Sequence, residues 1–398
     1  AREKMTPRIE LTPDLEQHII THRRALHQIP ELGFQETKTQ HYIMVQLESL
    51  GLTPIEIAGT GVVAILNGDA GPGPCIALRA DMDGLPIQEE TDRSFASQHH
   101  GRMHACGHDG HMAILLGVVE ALVQRKHHLK GSVKFIFQPG EEGYAGAKSM
   151  VEAGVLETHP AVDAIFGAHL WTYQPVGEIG VKAGPTMAAA DEFHIHIRGK
   201  GGHGAMPQGT VDAVLVAAQL TNAIHTIISR TIDPLEHGVI TVGTLNGGSN
   251  FNVIAETAAL TGTVRAYKED IRQHLKQRLL EVCNGIGATF GAEIILDYQD
   301  GYPPTVNADE PTDQLRLAAS QVVGAERVVP PYLTMAGEDM AYFLQEKQGC
   351  FFFIGAGKHD QSADEKIIPH HCPVFDFDEK ALRIGARVFI QLVEDYLG

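Results

Sequence analysis

The sequence predicts an α/β protein: a mixed sheet covered by helices and carrying a metal site, with a ferredoxin-like α+β domain inserted into it. Three observations lead there. Residues 1–186 alternate strand-like and helix-like patterns, as a sheet with helices on its faces requires. From 187 to 299 the order becomes β-α-β-β-α-β, the split βαβ unit of ferredoxin-like domains. Three apolar runs, CIALRAD, VKFIFQPGEE and AIFGAHL, each lead into groups that bind metal ions.

The elements follow in order. Thr12-Pro13-Asp14 supplies a cap, a proline at the first helical position and an acidic first turn, and Leu15, Ile19 and Leu26 then share one helical face. A second helix over 36–50 ends at Gly51. CIALRAD, VKFIFQ and AIFGAHL read as buried strands, and the period of Ile114, Leu115, Val118, Val119 and Leu122 predicts a helix over 110–124. In the insert, DEFHIHIRG alternates like a half-buried strand, and TVDAVLVAAQLTNAIHTIISR is an amphipathic helix. GVITVGTL and ETAALTGTVRA are strands, KEDIRQHLKQRLLEVCNGIG is a helix, and EIILDYQ is the last strand. After GYPPTVN the first pattern resumes, so the domains are 1–186, 187–299 and 300–398, the first and third forming one catalytic body.

Composition excludes several partners. A formal charge of -18 repels phosphate backbones and anionic lipid, which argues against nucleic acid and membrane surfaces. Five scattered cysteines form no disulfide framework and point to a reducing compartment, the cytoplasm. No run of apolar residues reaches the length of a membrane span.

The densest chemistry lies at Cys106-Gly107-His108, between the strand CIALRAD and the following helix. A thiolate and an imidazole this close suit a transition metal, although such a pair alone also occurs as a buried Cys beside a loop His. In an open α/β sheet, ligands bind beyond the carboxyl ends of the strands, where Asp81, Asp83, Glu141, Glu142 and His169 would converge. A helix N-terminus beside Cys106 is expected to favour its thiolate. The Glu141-Glu142 pair follows a Pro-Gly turn, so one carboxylate can bind an ion while the other moves protons. Trp171, just after the third strand, reads as core.

ALRADMDGLPI, MHACGHDGHMA, FQPGEEGYAGAKSM, GAHLW, GGHGAMP, MAGEDMAYF and HCPVFDFDE together resemble the M20 metallopeptidase clan, specifically its amidohydrolase subfamily. That group includes hippurate hydrolases, N-acyl-amino-acid amidohydrolases and auxin-conjugate hydrolases. RRALHQIPELGFQE is similar to the subfamily's N-terminal motif. The resemblance implies two divalent ions (zinc, manganese, cobalt or nickel) held by Cys106, His108, Glu142, His169 and His371, with His370 the adjacent alternative to His371. It also implies Glu141 as general base and Asp83 as an orienting residue behind the ligands. In the inserted lid, His203 would donate to a developing oxyanion, while Asn252 and Arg265 would hold the substrate's carboxylate; for Arg265 a solvated edge charge is the alternative. Gln208 departs from the family pattern, which often has His there.

The implied activity is hydrolysis of the amide of an N-acyl amino acid or short peptide, with pairing through the lid as a homodimer or higher homo-oligomer. A metallo-carboxypeptidase or dipeptidase is the enzymatic alternative. A noncatalytic small-molecule binder is disfavoured, because every candidate ligand and the base are present.

Overall fold

The computed structural model describes residues 11–358 and 367–398. The chain divides into two compact units, the first drawn from Ala1–Thr186, Val306–Leu333 and Asp339–Gly398, the second from Met187–Thr305 and Thr334–Glu338. The sequence reading closed the insert at 299; its last strand runs on to Tyr302, and a short later segment joins it.

In the first unit, helix α1 (Pro13–His27) starts as its sequence dictates: Thr12 Oγ1 accepts the Leu15 N–H at 3.2 Å, and Leu15, Ile19 and Leu26 are buried. Helix α2 (Thr37–Ser49) buries Ile43 and Leu47. Strands β1 (Ile55–Ile57), β2 (Gly61–Asn67) and β3 (Cys75–Asp81) precede helix α3 (His108–Arg125), and strand β4 (Ser132–Gln138), helix α4 (Gly146–Glu152) and strand β5 (Ala164–Pro175) follow it. The eight-stranded sheet runs β1-β2-β4-β3-β5, then Gly349–Gly357, Ile179–Gly180 and Val328–Val329. It is mixed: β2 pairs antiparallel with β4, whereas β3 lies parallel to β4 and β5. Those three parallel strands are almost wholly buried, which explains their unbroken apolar runs.

Helix α3 begins at His108, two residues before the apolar period predicted it, and is buried on nearly all sides rather than along one stripe. Gly107 caps it with φ +93°, a left-handed conformation that disfavours any side chain. The turn between Cys106 and His108 therefore depends on glycine.

The second unit has the predicted strand and helix order. Strands Ala189–Arg198, Gly238–Gly247, Thr257–Ala266 and Glu293–Tyr302 form one sheet, with helices Ala213–Thr231 and Glu269–Phe290. Every pairing is antiparallel, and the first strand lies between the third and fourth. Ala189–Arg198 alternates buried and more exposed residues, so Phe193, Ile195 and Ile197 enter a core shared with Leu220, Ile224, Leu275 and Leu279. Buried Asp191 receives Arg272 Nε and Nη2 at 2.8 and 2.6 Å and the Tyr298 hydroxyl at 2.7 Å. Among the described residues, no helix is long and apolar enough to cross a membrane.

Candidate metal centre

Because β3, β4 and β5 run parallel, their carboxyl ends share one edge of the sheet, and the first unit gathers its reactive side chains there. Cys106 Sγ lies 3.4 Å from His169 Nε2 and 3.3 Å from His371 Nε2. His371 Nε2 is 3.1 Å from Glu142 Oε1, and His108 Nε2 is 3.8 Å from that same oxygen and 3.9 Å from Glu141 Oε2. Compact donor groups here include Cys106 with His108 and His169, Cys106 with Glu142 and His371, and His108 with Glu141 and Glu142. Cys106, His108 and Glu142 each belong to two of these three.

The electrostatics of this cluster call for a cation. His108 Nε2 and Glu142 Oε1 are shielded from solvent and make no well-formed hydrogen bond, although each has an oppositely charged neighbour within 4 Å. Burial pushes the Cys106 thiol well above its ordinary range, and Glu142, Glu141 and Asp81 push the same way. The expected help from the helix N-terminus is thus outweighed, and a thiolate here needs a positive ion beside it. Burial opposes charge on His108, yet Asp81, Asp83 and Glu142 prevail and raise it to about 10. Burial, then His111 and His370, drives His169 well below its usual value, which leaves a neutral ring able to donate a lone pair. Sulfur, imidazole nitrogen and carboxylate oxygen together suit first-row divalent ions.

A surrounding layer fixes these donors. Asp83 accepts the N–H groups of Glu141 and Glu142 at 3.0 and 2.9 Å, and its carboxylate lies 3.3 Å from His108 Nδ1. His169 Nδ1 lies 2.7 Å from the Leu170 carbonyl, which leaves Nε2 for Cys106. His371 has φ +61° and donates its N–H to Ala105 O at 2.8 Å. His370 is placed differently: its Nε2 accepts the Thr172 N–H at 3.3 Å, and its ring stacks on Trp171 at 4.8 Å. Trp171 is a core residue, 5% exposed.

Sequence reasoning missed His111. Its Nδ1 contacts Asp81 Oδ1 at 2.6 Å, its Nε2 accepts the Leu170 N–H at 2.9 Å, and its ring lies 4.7 Å from that of His169. The available signal was its spacing of three from His108 in HDGH, which puts both on one helical face. Arg79, from within β3, holds Asp81 Oδ2 and Asp339 Oδ1 at 3.0 Å each.

The remaining candidates lie in the second unit. His203 and Asn252 line a common groove of about 970 Å³, and His203 pairs with Val253 across a short two-stranded ladder. His203 is exposed and its Nδ1 accepts the Ala205 N–H at 3.1 Å. Arg265 is not among the residues that line the groove. Its Nη1 donates to the Val264 and Asp191 carbonyls at 3.1 and 3.4 Å, and no carboxylate pairs with it among the described residues.

A buried thiol, imidazoles and carboxylates around one point, with a second carboxylate within reach, define the class of metal-dependent hydrolases that activate water. The chain belongs to the peptidase family M20/M25/M40, whose model matches residues 77–395. It is 42% identical over 378 residues to the N-acetyl-L-cysteine deacetylase of Bacillus subtilis, with 94% of this chain and 87% of that protein covered. It is 38% identical to thermostable carboxypeptidase 1 of Saccharolobus solfataricus, with 94% of each covered. Among solved structures, the Bacillus subtilis YXEP protein, a dinuclear metal binding peptidase of the M20 family, superposes with a TM-score of 0.84 at 34% identity, covering 96% of this chain and 98% of that one.

Proposed function

We propose that this enzyme cleaves the amide of N-acylated amino acids, giving a carboxylate and a free amino acid, with two divalent ions held by Cys106, His108, Glu142, His169 and His371. The observation that carries the reading is a set of donor groups linked by Cys106, His108 and Glu142, with Glu141 in one of them. Ions bound there supply positive charge that acidifies water and polarises the amide carbonyl. Glu141 takes a proton from the attacking water as its oxygen bonds to the carbonyl carbon. It then delivers that proton to the nitrogen as the C–N bond breaks. Asp83 keeps His108 and the Glu141–Glu142 backbone in place throughout. His203 is assigned to the developing oxyanion, and Asn252 and Arg265 to the substrate's carboxylate.

Amide release from N-acetyl, N-benzoyl and long-chain N-acyl amino acids, run beside dipeptides, tests this reading. Turnover of dipeptides alone would replace it with a dipeptidase. The unpaired Arg265 suits a substrate anion, and its planar fork is what a carboxylate matches. Arg265→Lys is therefore expected to raise KM about tenfold with kcat little changed, since a lost bidentate charged bond is worth roughly 1.5 kcal/mol or more. Equal KM values for the two proteins, measured on one N-acyl amino acid, would remove Arg265 from the binding site.

A further inference from the structure

We propose that Glu36 is a positioning residue for the Glu141–Glu142 turn, one of two buried carboxyl groups that take three successive N–H groups of that turn. The inference rests on the reading of Glu141 as base.

Glu36 occupies the N-cap of α2, where a short polar side chain ordinarily accepts an N–H from its own helix. It does not do so here. Glu31 takes over that work, accepting the Lys38 and Thr39 N–H groups at 3.0 and 2.9 Å and the Thr39 hydroxyl at 3.0 Å. Glu36 is thereby free to reach across to the sheet edge. Its Oε1 accepts the Gly140 N–H at 2.8 Å, and its Oε2 bonds the Thr60 hydroxyl. Asp83 accepts the next two N–H groups, those of Glu141 and Glu142. Three consecutive amides are thus fixed from two directions, and with them the directions in which both glutamates leave the backbone.

Gly140 itself is tightly placed. Gly140 has φ +57°, and a Cβ there would lie 3.1 Å from both Phe34 Cε2 and Tyr144 Cβ. Phe34 belongs to the same loop as Glu36, so this N-terminal segment cradles the turn by both packing and hydrogen bonding.

Glu36 is fully buried, and no Lys, Arg or His bonds it among the described residues. Burial raises its carboxyl to about 7, with Asp83 adding to the rise and the bonds from Thr60 and Gly140 opposing it. An apolar side chain would fill the site without that desolvation cost, so what the carboxyl adds is the bond to Gly140. A glutamine has the same shape. Its carbonyl can accept from Gly140 while its amide donates to Thr60.

Glu36→Gln, Glu36→Ala and Glu141→Gln should be compared for kcat, KM and the rate at which a chelator strips metal. Glu36→Gln is expected to stay within about twofold of the parent. Glu36→Ala should lose about tenfold or more in kcat with KM little changed, because small misplacements of a reacting group cost up to about 10² in rate. It should also release metal faster, since Glu142 shares the turn. Parental kcat and metal release in Glu36→Ala would overturn the proposal, as would a Glu36→Gln as impaired as Glu36→Ala. Should Glu36→Ala fail to fold, Thr60→Val removes the other partner at similar shape. A smaller loss of kcat is expected from it, and none would overturn the proposal. An active Glu141→Gln would instead sink the assignment of the base, whatever the Glu36 variants do.

Discussion

Glu141→Gln is expected to retain its metal and to lose about 10² to 10⁴ in turnover, the range a positioned general base contributes. The side chain is 8% exposed and lies 3.9 Å from His108 Nε2, among the donors. Its backbone N–H is held by Asp83, so an amide of the same shape should sit in the same place. What disappears is the ability to take a proton from water and return it to the departing nitrogen. Glu142→Gln should differ in kind: Oε1 of Glu142 faces His371 at 3.1 Å and His108 at 3.8 Å, so its loss should appear first as metal release. Metal content measured on both variants separates the roles. Equal metal loss in both, with Glu141→Gln restored by added metal, would show that the assignment is wrong.

Cys106→Ala should have the broadest effect on the ions. Its sulfur contacts both His169 and His371, and it belongs to two of the donor groups. Elemental analysis should fall from about two equivalents per chain, the number a two-ion site requires, toward none. The softness of a thiolate favours zinc, while the nitrogen and oxygen donors also admit manganese, cobalt or nickel. Undiminished metal content in Cys106→Ala would remove sulfur from the donor set.

The strand ends were legible in the sequence because buried parallel strands leave an unbroken apolar run, and a polar group at its close has few places to go. Asp81, Asp83, Glu141, Glu142 and His169 could be read that way, whereas Cys106 and His108 stand at the start of α3 and stood out by a thiol and an imidazole two positions apart. In the sequence only the distance from Cys-Pro favours His371 over His370, and the structure adds that His370 Nε2 accepts the Thr172 N–H, a partner no local pattern reveals. The support layer was less visible still. His111 serves a backbone amide 59 positions away, and Arg79 joins Asp339 over 260 positions. Such partners depend on strand register and loop closure, which no local pattern encodes. Glu36 was hidden for a different reason. A glutamate at a helix start reads as a cap, and only the presence of Glu31 on those amides shows that it is used elsewhere.

Cys106 and His371 lie 265 positions apart in the chain, yet their side chains meet at 3.3 Å. An ion joining them closes a loop that the unfolded chain would rarely close, so it acts as a removable crosslink. Binding to the folded form alone adds about 2.7 kcal/mol at a hundredfold excess over the dissociation constant. Chelation should therefore lower the melting temperature, and restoring the metal should raise it again; an unmoved transition would mean that the folded state does not hold the ion. Scarcity of metal would shorten the life of the protein itself, so metal supply would set the amount of enzyme as well as its rate.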